Sequence, residues 1–204
     1  MARVHGVAVG AHPGYPDRDG FGRRIVGLPP QALTETLAAQ IRALRDIAEA
    51  EGVRLQHVKA HGALYNLAVT DHAAADAIGR AMLAVDPALI AVALAGASMG
   101  AVFARLGLRV AHEAFIDRGY TSEGRLVPRG RPGALITDPL EAAGRAVRMV
   151  REGRLDAVDG GEVRVDARTL CVHADTPNSP AIAAAARRAL EDAGIRVAPM
   201  RAVL

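Results

Sequence analysis

Histidines, carboxylates and cations collect at four places in this chain, each just after a short apolar run. His12, Tyr15 and Asp17 follow Val4–Gly10, and Lys59, His61, Tyr65 and Asn66 close the run that starts at Leu55. Glu113, Asp117, Arg118 and Tyr120 follow Val110, and His173 and Asp175 follow Leu170. Imidazoles and carboxylates are the side chains that move protons near neutral pH. Lys59 adds a cation of unusual standing, because it is the one lysine beside 24 arginines. An ammonium is a compact point charge with three donors on a flexible stem, whereas guanidinium is a planar fork that stays charged. Lys59 therefore marks a position where arginine does not serve.

Each group also has a plainer reading. His12 stands before Pro13 and can cap a turn, and Asp17 lies in a charged stretch that can be solvated loop. Lys59 and His61 are two apart, so on a strand they share a face; that suits a joint site or a buried hydrogen-bonded pair. Tyr65 can simply pack its ring. Phe115 and Ile116 separate Glu113 from Asp117, so both carboxylates do not face solvent, and His173-Ala-Asp175 repeats the two-apart pattern. His5, His72 and His112 have no such company and read as structural or surface residues.

The elements that position these groups alternate between short apolar runs and amphipathic stretches. Strands are expected at Val4–Gly10, Leu55–Lys59, Leu89–Leu94, Val110–Ile116, Leu170–His173 and Ile195–Ala198. Leu33, Leu37, Ile41, Leu44 and Ile47 predict a helix over 31–51 that Gly52 stops. Further helices are predicted from about Asp71 to before Pro87, from the Gly-Ala-Ser-Met-Gly turn to Leu106, and from Ser179-Pro180 to Gly194. Asp138-Pro-Leu-Glu141 opens another, with Asp as N-cap and Pro in the first turn. Repeated strand–helix alternation predicts an α/β fold with a parallel sheet, open or closed into a barrel. In such folds the carboxyl ends of the strands share one face, where sites form, and all four polar groups fall there.

Composition narrows the function. Aromatics make up only 3% of residues and tryptophan is absent, so the core is expected to be aliphatic. The net charge of +3 is spread through 22 acids with no basic run, which argues against nucleic-acid binding. One cysteine, Cys171, excludes an internal disulfide and suits a cytoplasmic location. No apolar stretch reaches membrane-spanning length. No Walker loop, dinucleotide fingerprint, H-E-x-x-H or nucleophile elbow is present. His12, His61 and His173 are too far apart in sequence for their spacing to support a metal site, and none is predicted.

Four ordered segments carry a family resemblance. Gly10-Ala-His-Pro-Gly-Tyr-Pro-Asp17, continued by Gly20-Phe-Gly-Arg-Arg24, resembles the signature of the LamB/YcsF family, whose members are assigned as 5-oxoprolinase A subunits. His57-Val-Lys-Ala-His-Gly-Ala-Leu-Tyr-Asn66 is similar to its second block, with Ala60 where Pro is common. Glu113-Ala-Phe-Ile-Asp-Arg-Gly-Tyr120, with Leu126-Val-Pro-Arg129 and Gly133-Ala, resembles a third, and Cys171-Val-His-Ala-Asp175 a fourth, with Ala174 where Gly is usual.

The resemblance implies a single domain over 1–204: an irregular (β/α) barrel of the glycoside hydrolase/deacetylase type, with about six parallel strands and helices outside. It implies ATP-dependent opening of 5-oxoproline to L-glutamate, with Mg accompanying ATP and subunits B and C as partners. On that reading Lys59 and Arg118 hold anionic oxygens, His61 and His173 handle protons, and Asp117 or Glu113 orients water or a nucleophile. His12, Tyr15, Asp17, Tyr65, Asn66, Tyr120, Arg129 and Asp175 are expected to contact substrate. The chain departs from the family at its start, where an Asp-Leu-Asn-Cys-Asp-like strand and a Cys-Gly-Phe-His-Ala-Gly-Asp-like block are missing, so an incomplete barrel is expected. The alternatives are a metal-dependent deacetylase-like hydrolase, with zinc at His12, His61 and His173, and a non-catalytic subunit that only binds its partners.

Overall fold

A computed structural model describes residues 1–204, and its strands are parallel where the alternating pattern predicts them. β1 (Val9–Ala11) pairs with β2 (Leu55–Val58), and β2 with β3 (Ile90–Leu94). β4 (Arg109–Phe115) pairs with β7 (Thr169–Cys171), and the hydrogen-bonding order is β1-β2-β3-β4-β7. The fold is α/β, as expected. Contacts divide the chain into two compact units, Met1–Ala111 with Leu204 and His112–Val203.

In the first unit, β3 is buried at all five positions, as a strand covered on both faces must be. Around these strands run α1 (Pro30–Ala50), α2 (Gly62–Ala68), α3 (His72–Leu83) and α4 (Ser98–Arg105), with α1 against α3 and α3 against α4. The buried face of α1 is Leu33, Leu37, Ala38, Ile41 and Ala48. Ile47, expected in that stripe, is 64% exposed, because seven residues, close to two turns, separate Ala48 from Ile41. Asp71 caps α3, accepting from the Ala74 amide at 2.9 Å.

Two expectations for this unit are corrected. The strand over Val4–Gly10 is confined to Val9–Ala11, because residues before it form turns, with Val7 N–H on the Ala2 carbonyl and Gly6 at φ 62°. Tyr65 and Asn66 do not end a strand; they lie on α2, a helix too short for its periodicity to show. α3 starts after Asp71 and ends at Leu83, before Pro87, as expected.

In the second unit, α5 (Pro139–Glu152) packs on α6 (Ser179–Asp192). α5 begins as read: the Asp138 carboxylate accepts from the Leu140 and Glu141 amides at 2.9 and 2.8 Å, and Gly153 ends it at φ 64°. An antiparallel pair, β5 (Arg154–Asp156) and β6 (Glu162–Arg164), was not expected. Its strands have three residues each and bury only Leu155 and Val163. The sixth strand at Ile195–Ala198 does not form. Gly194, at φ 72°, and Ile195 instead close α6, their amides bonding the Glu191 and Leu190 carbonyls, a Schellman arrangement. No helix is long and apolar enough to cross a membrane.

Candidate functional site

In the first unit the ladder between β1 and β2 runs on past both strands. The Lys59 amide bonds the Ala11 carbonyl at 3.0 Å and the His61 amide bonds that of Pro13 at 2.8 Å. Burial alternates along this extension: Val58 and Ala60 are buried, while His57, Lys59 and His61 are half-buried. The two-apart spacing therefore places Lys59 and His61 on one face, together with His57. A Cβ at Gly10 would lie 2.2 Å from His57 Nε2, so β1 must carry glycine there. Burial, reinforced by the Lys59 charge, depresses the His57 pKa. Lys59 Nζ sits 5.6 Å from the centre of the Tyr65 ring, a cation–π distance.

His12 and His61 meet directly. His61 Nδ1 is 3.0 Å from His12 Nε2, and the rings are 4.8 Å apart at 78°. The outer nitrogens reach backbone: His12 Nδ1 lies 2.7 Å from the Lys59 carbonyl and His61 Nε2 lies 2.6 Å from the Phe21 carbonyl. Phe21, at φ 53°, and Gly22, at φ 65°, turn the loop so that these carbonyls face the start of α2. The Gly22 carbonyl also accepts from the Ala63 amide at 2.9 Å, and a Cβ at Gly62 would come within 2.4 Å of that oxygen.

Asp17, only 9% exposed, is spent on the same loop. Its carboxylate accepts from Arg24 Nε and from the amides of Gly20 and Arg24, and the Arg24 hydrogen bond holds its pKa below the ordinary carboxylate value. Tyr15 is buried, which raises its pKa, with the Asp71 charge adding to the effect. Asn66 is exposed on α2. Gln40 of α1, which the sequence did not single out, clamps Gly14 by accepting from its amide at 3.0 Å and donating to its carbonyl at 2.8 Å.

In the second unit the centre is Asp117, fully buried. Its Oδ2 accepts from His173 Nδ1 at 3.0 Å, the His173 amide at 2.9 Å and Thr176 Oγ1 at 2.6 Å. Burial by itself would raise the Asp117 pKa, but these bonds outweigh it and the net shift is downward. An ionised carboxylate only accepts, so Nδ1 carries a ring proton and Nε2 is the nitrogen turned away from the carboxylate. Phe115 stacks on that ring at 5.1 Å and 15°. The arrangement is a carboxylate-oriented base of the kind that takes a proton from water.

The other members of this unit divide. Glu113 is buried on β4, in register with Thr169 of β7. Arg118, expected to hold anions, is 6% exposed and donates from Nε and Nη2 to the Ala134 and Val127 carbonyls at 3.0 and 2.5 Å. Burial lowers its pKa, and the nearby Arg129 charge acts in the same direction. Tyr120 is fully buried with its oxygen accepting from the Phe115 amide at 2.8 Å, and burial pushes its pKa up. Both residues therefore shape the 117–134 loop. Arg129 and Asp175 are paired at 3.4 Å and partly exposed.

Sequence reasoning missed Thr176, Gln40 and the Phe21 carbonyl. Thr176 is 59 residues from its partner and backbone oxygens have no sequence signal. His57 was legible by extending the Lys59–His61 parity one step back. No group of three or more His, Cys, Asp or Glu residues is placed to hold a metal ion.

The family model described as LamB/YcsF matches residues 1–204. A Thermus thermophilus protein named as the A subunit of 5-oxoprolinase is 52% identical over 197 residues, which cover 97% of this chain and 79% of that protein. One of Heliobacterium modesticaldum with the same name is 52% identical, covering 94% of this chain and 76% of its own length. The crystal structure of a lactam utilization protein from Thermus thermophilus is 52% identical and superposes with a TM-score of 0.89, covering 96% of this chain and 78% of that one.

Proposed function

The chain belongs to the LamB/YcsF family, and from that membership we propose that it is the A subunit of a cytoplasmic 5-oxoprolinase. With subunits B and C it would hydrolyse 5-oxoproline to L-glutamate at the expense of ATP. The observation that carries this reading is the shared name of relatives that align along nearly the whole chain.

The chemistry has definite requirements. A lactam carbonyl is a poor electrophile, and ATP with Mg supplies a phosphoryl group that turns its oxygen into a leaving group. The chain presents no glycine-rich nucleotide cradle. Arg24 is tied to Asp17 and Arg118 to carbonyls, so the residues do not fit a nucleotide site. His173 Nε2 accepts the proton of the attacking water, and Asp117 stabilises the imidazolium that results. Lys59 holds an anionic oxygen. His61, with His12, returns a proton to the ring nitrogen as its bond to carbon breaks, and a second water releases phosphate from the acyl phosphate that results, leaving glutamate. Glu113 remains a candidate to orient water or a nucleophile, and Tyr15, Tyr65, Asn66, Arg129 and Asp175 remain candidates for substrate contact, whereas Asp17, Arg118 and Tyr120 act through the loops they hold.

The test is glutamate release from 5-oxoproline and ATP by the reconstituted complex. Wild-type chain should support it, and His173→Ala and Lys59→Met should not. Full activity in both variants would overturn the assignment. Co-purification with the partners but no glutamate from the wild type would favour a non-catalytic role.

A further inference from the structure

We propose that Val158 and Asp159, at the tip of the β5–β6 hairpin, are positioning residues that hold Arg129 where substrate meets it. The inference rests on the reading under which Arg129 and Asp175 are candidate substrate contacts. Arg129 lies in the segment 128–133, which both ends tie to Gly119. At one end the Val127 amide bonds the Gly119 carbonyl at 3.0 Å, and at the other the Gly119 amide bonds the Ala134 carbonyl at 3.1 Å. Inside the segment the Arg131 amide bonds the Pro128 carbonyl at 3.1 Å, so Arg129 rides on a turn whose base is at Gly119. Its guanidinium reaches Asp175, 3.4 Å away and two residues beyond His173. A Cβ at Gly119 would lie 2.0 Å from the Gly133 carbonyl oxygen, so two backbones cross there at a separation that requires glycine. The same Cβ would lie 3.0 Å from Val158 Cγ1, and one at Gly133 would lie 3.1 Å from it. One methyl of Val158 thus rests on both glycines and closes the base of the turn.

Hydrogen bonds fasten the tip beside that contact. The Val158 amide bonds the Tyr120 carbonyl at 2.9 Å. Asp159 takes both donors of Ser122, the amide at 2.7 Å and the hydroxyl at 3.1 Å. The hairpin has little core of its own, since its strands bury only Leu155 and Val163, and two strands alone are marginal in water. It is fixed at its root instead. Arg148 of α5 reaches Glu152, Asp156 and Glu162, and Arg154 reaches Glu152 and Glu162. Root on α5 and tip on the loop make the hairpin a strap. The Asp117–His173 pair is held separately, by the pairing of β4 with β7 and by Thr176. Releasing the tip lowers the fraction of chains whose turn presents Arg129 correctly. Apparent affinity falls with that fraction, and saturating substrate restores the competent form. The signature is a higher KM at unchanged kcat.

The experiment compares Asp159→Ala, Val158→Ala and Arg129→Ala in the reconstituted complex, together with Asp159→Ala combined with Arg129→Ala. Asp159→Ala should raise KM for 5-oxoproline about fivefold, the effect of one net hydrogen bond, with kcat unchanged. In the double variant it should add nothing to the KM of Arg129→Ala, because both act through one group. An unchanged KM, an equal fall in kcat or additive effects in the double variant would refute the proposal. Amide hydrogen exchange on the full chain without partners needs no reaction. Both hairpin variants should speed exchange across 119–134 and leave β7 as it was, and unchanged exchange across 119–134 would count against the strap. If wild type releases no glutamate, the proposed activity fails and the exchange result decides the strap by itself. If Asp159→Ala does not fold, Val158→Ala carries the same comparison.

Discussion

His61 and His173 both lie just beyond the carboxyl end of a parallel strand, half-buried, yet different atoms face their rings. His173 meets a buried carboxylate that fixes a proton on Nδ1 and leaves Nε2 turned away from it. His61 meets a carbonyl on one side and a second imidazole on the other. The same residue type thus has a buried carboxylate as its partner in one unit and a carbonyl and an imidazole in the other.

The sharpest way to break this contrast is Asp117→Asn. The amide can donate to His173 Nδ1 and invert its tautomer, so turnover of the reconstituted complex should fall about 10^3- to 10^4-fold, the scale known for a wrong tautomer, with the fold intact by circular dichroism. Lys59→Met should follow, with a loss of roughly 10^2- to 10^3-fold in kcat if it holds charge that develops in the transition state. A change confined to KM would reassign it to substrate binding.

Thr176→Val removes one of the bonds to the buried Asp117 carboxylate and should cost about 1–3 kcal/mol in denaturant unfolding. Gly10→Ala must displace the His57 ring or the strand and should cost about 1–3 kcal/mol, a test confined to the first unit.

Acid titration separates the units more gently. The folded His57 pKa is depressed, so its contribution to stability is complete above about pH 6.5 and is lost as pH falls below it, because the unfolded chain binds the proton first. The Asp117 pKa is also depressed, and its contribution is lost only below about pH 3.9. Denaturant midpoints across pH should show the earlier decline disappear in His57→Gln while the later one persists.

Legibility from sequence followed the length and locality of the signal. The α5 start at Asp138, the buried run of β3 and the stripe on α1 were readable because each is set by residues close in the chain. The β5–β6 pair and α2 were not, being too short for any period to repeat. Ile195–Ala198 has the composition of a strand, but a strand needs a partner, and Ile195 serves as the close of α6 instead.

At the site, residue order alone settled which groups were available: one lysine, the spaced histidines, and a parity that sets Lys59 and His61 on one face. Strand geometry turns residue spacing into sidedness without any help from the rest of the chain. What each group faces was settled in three dimensions. Folding committed Arg118 to carbonyls, gave Asp117 its bond from Thr176, and set the Phe21 carbonyl against His61. Hydrogen-bond partners are chosen by distance in space, and here they come from residues 9 to 59 positions away.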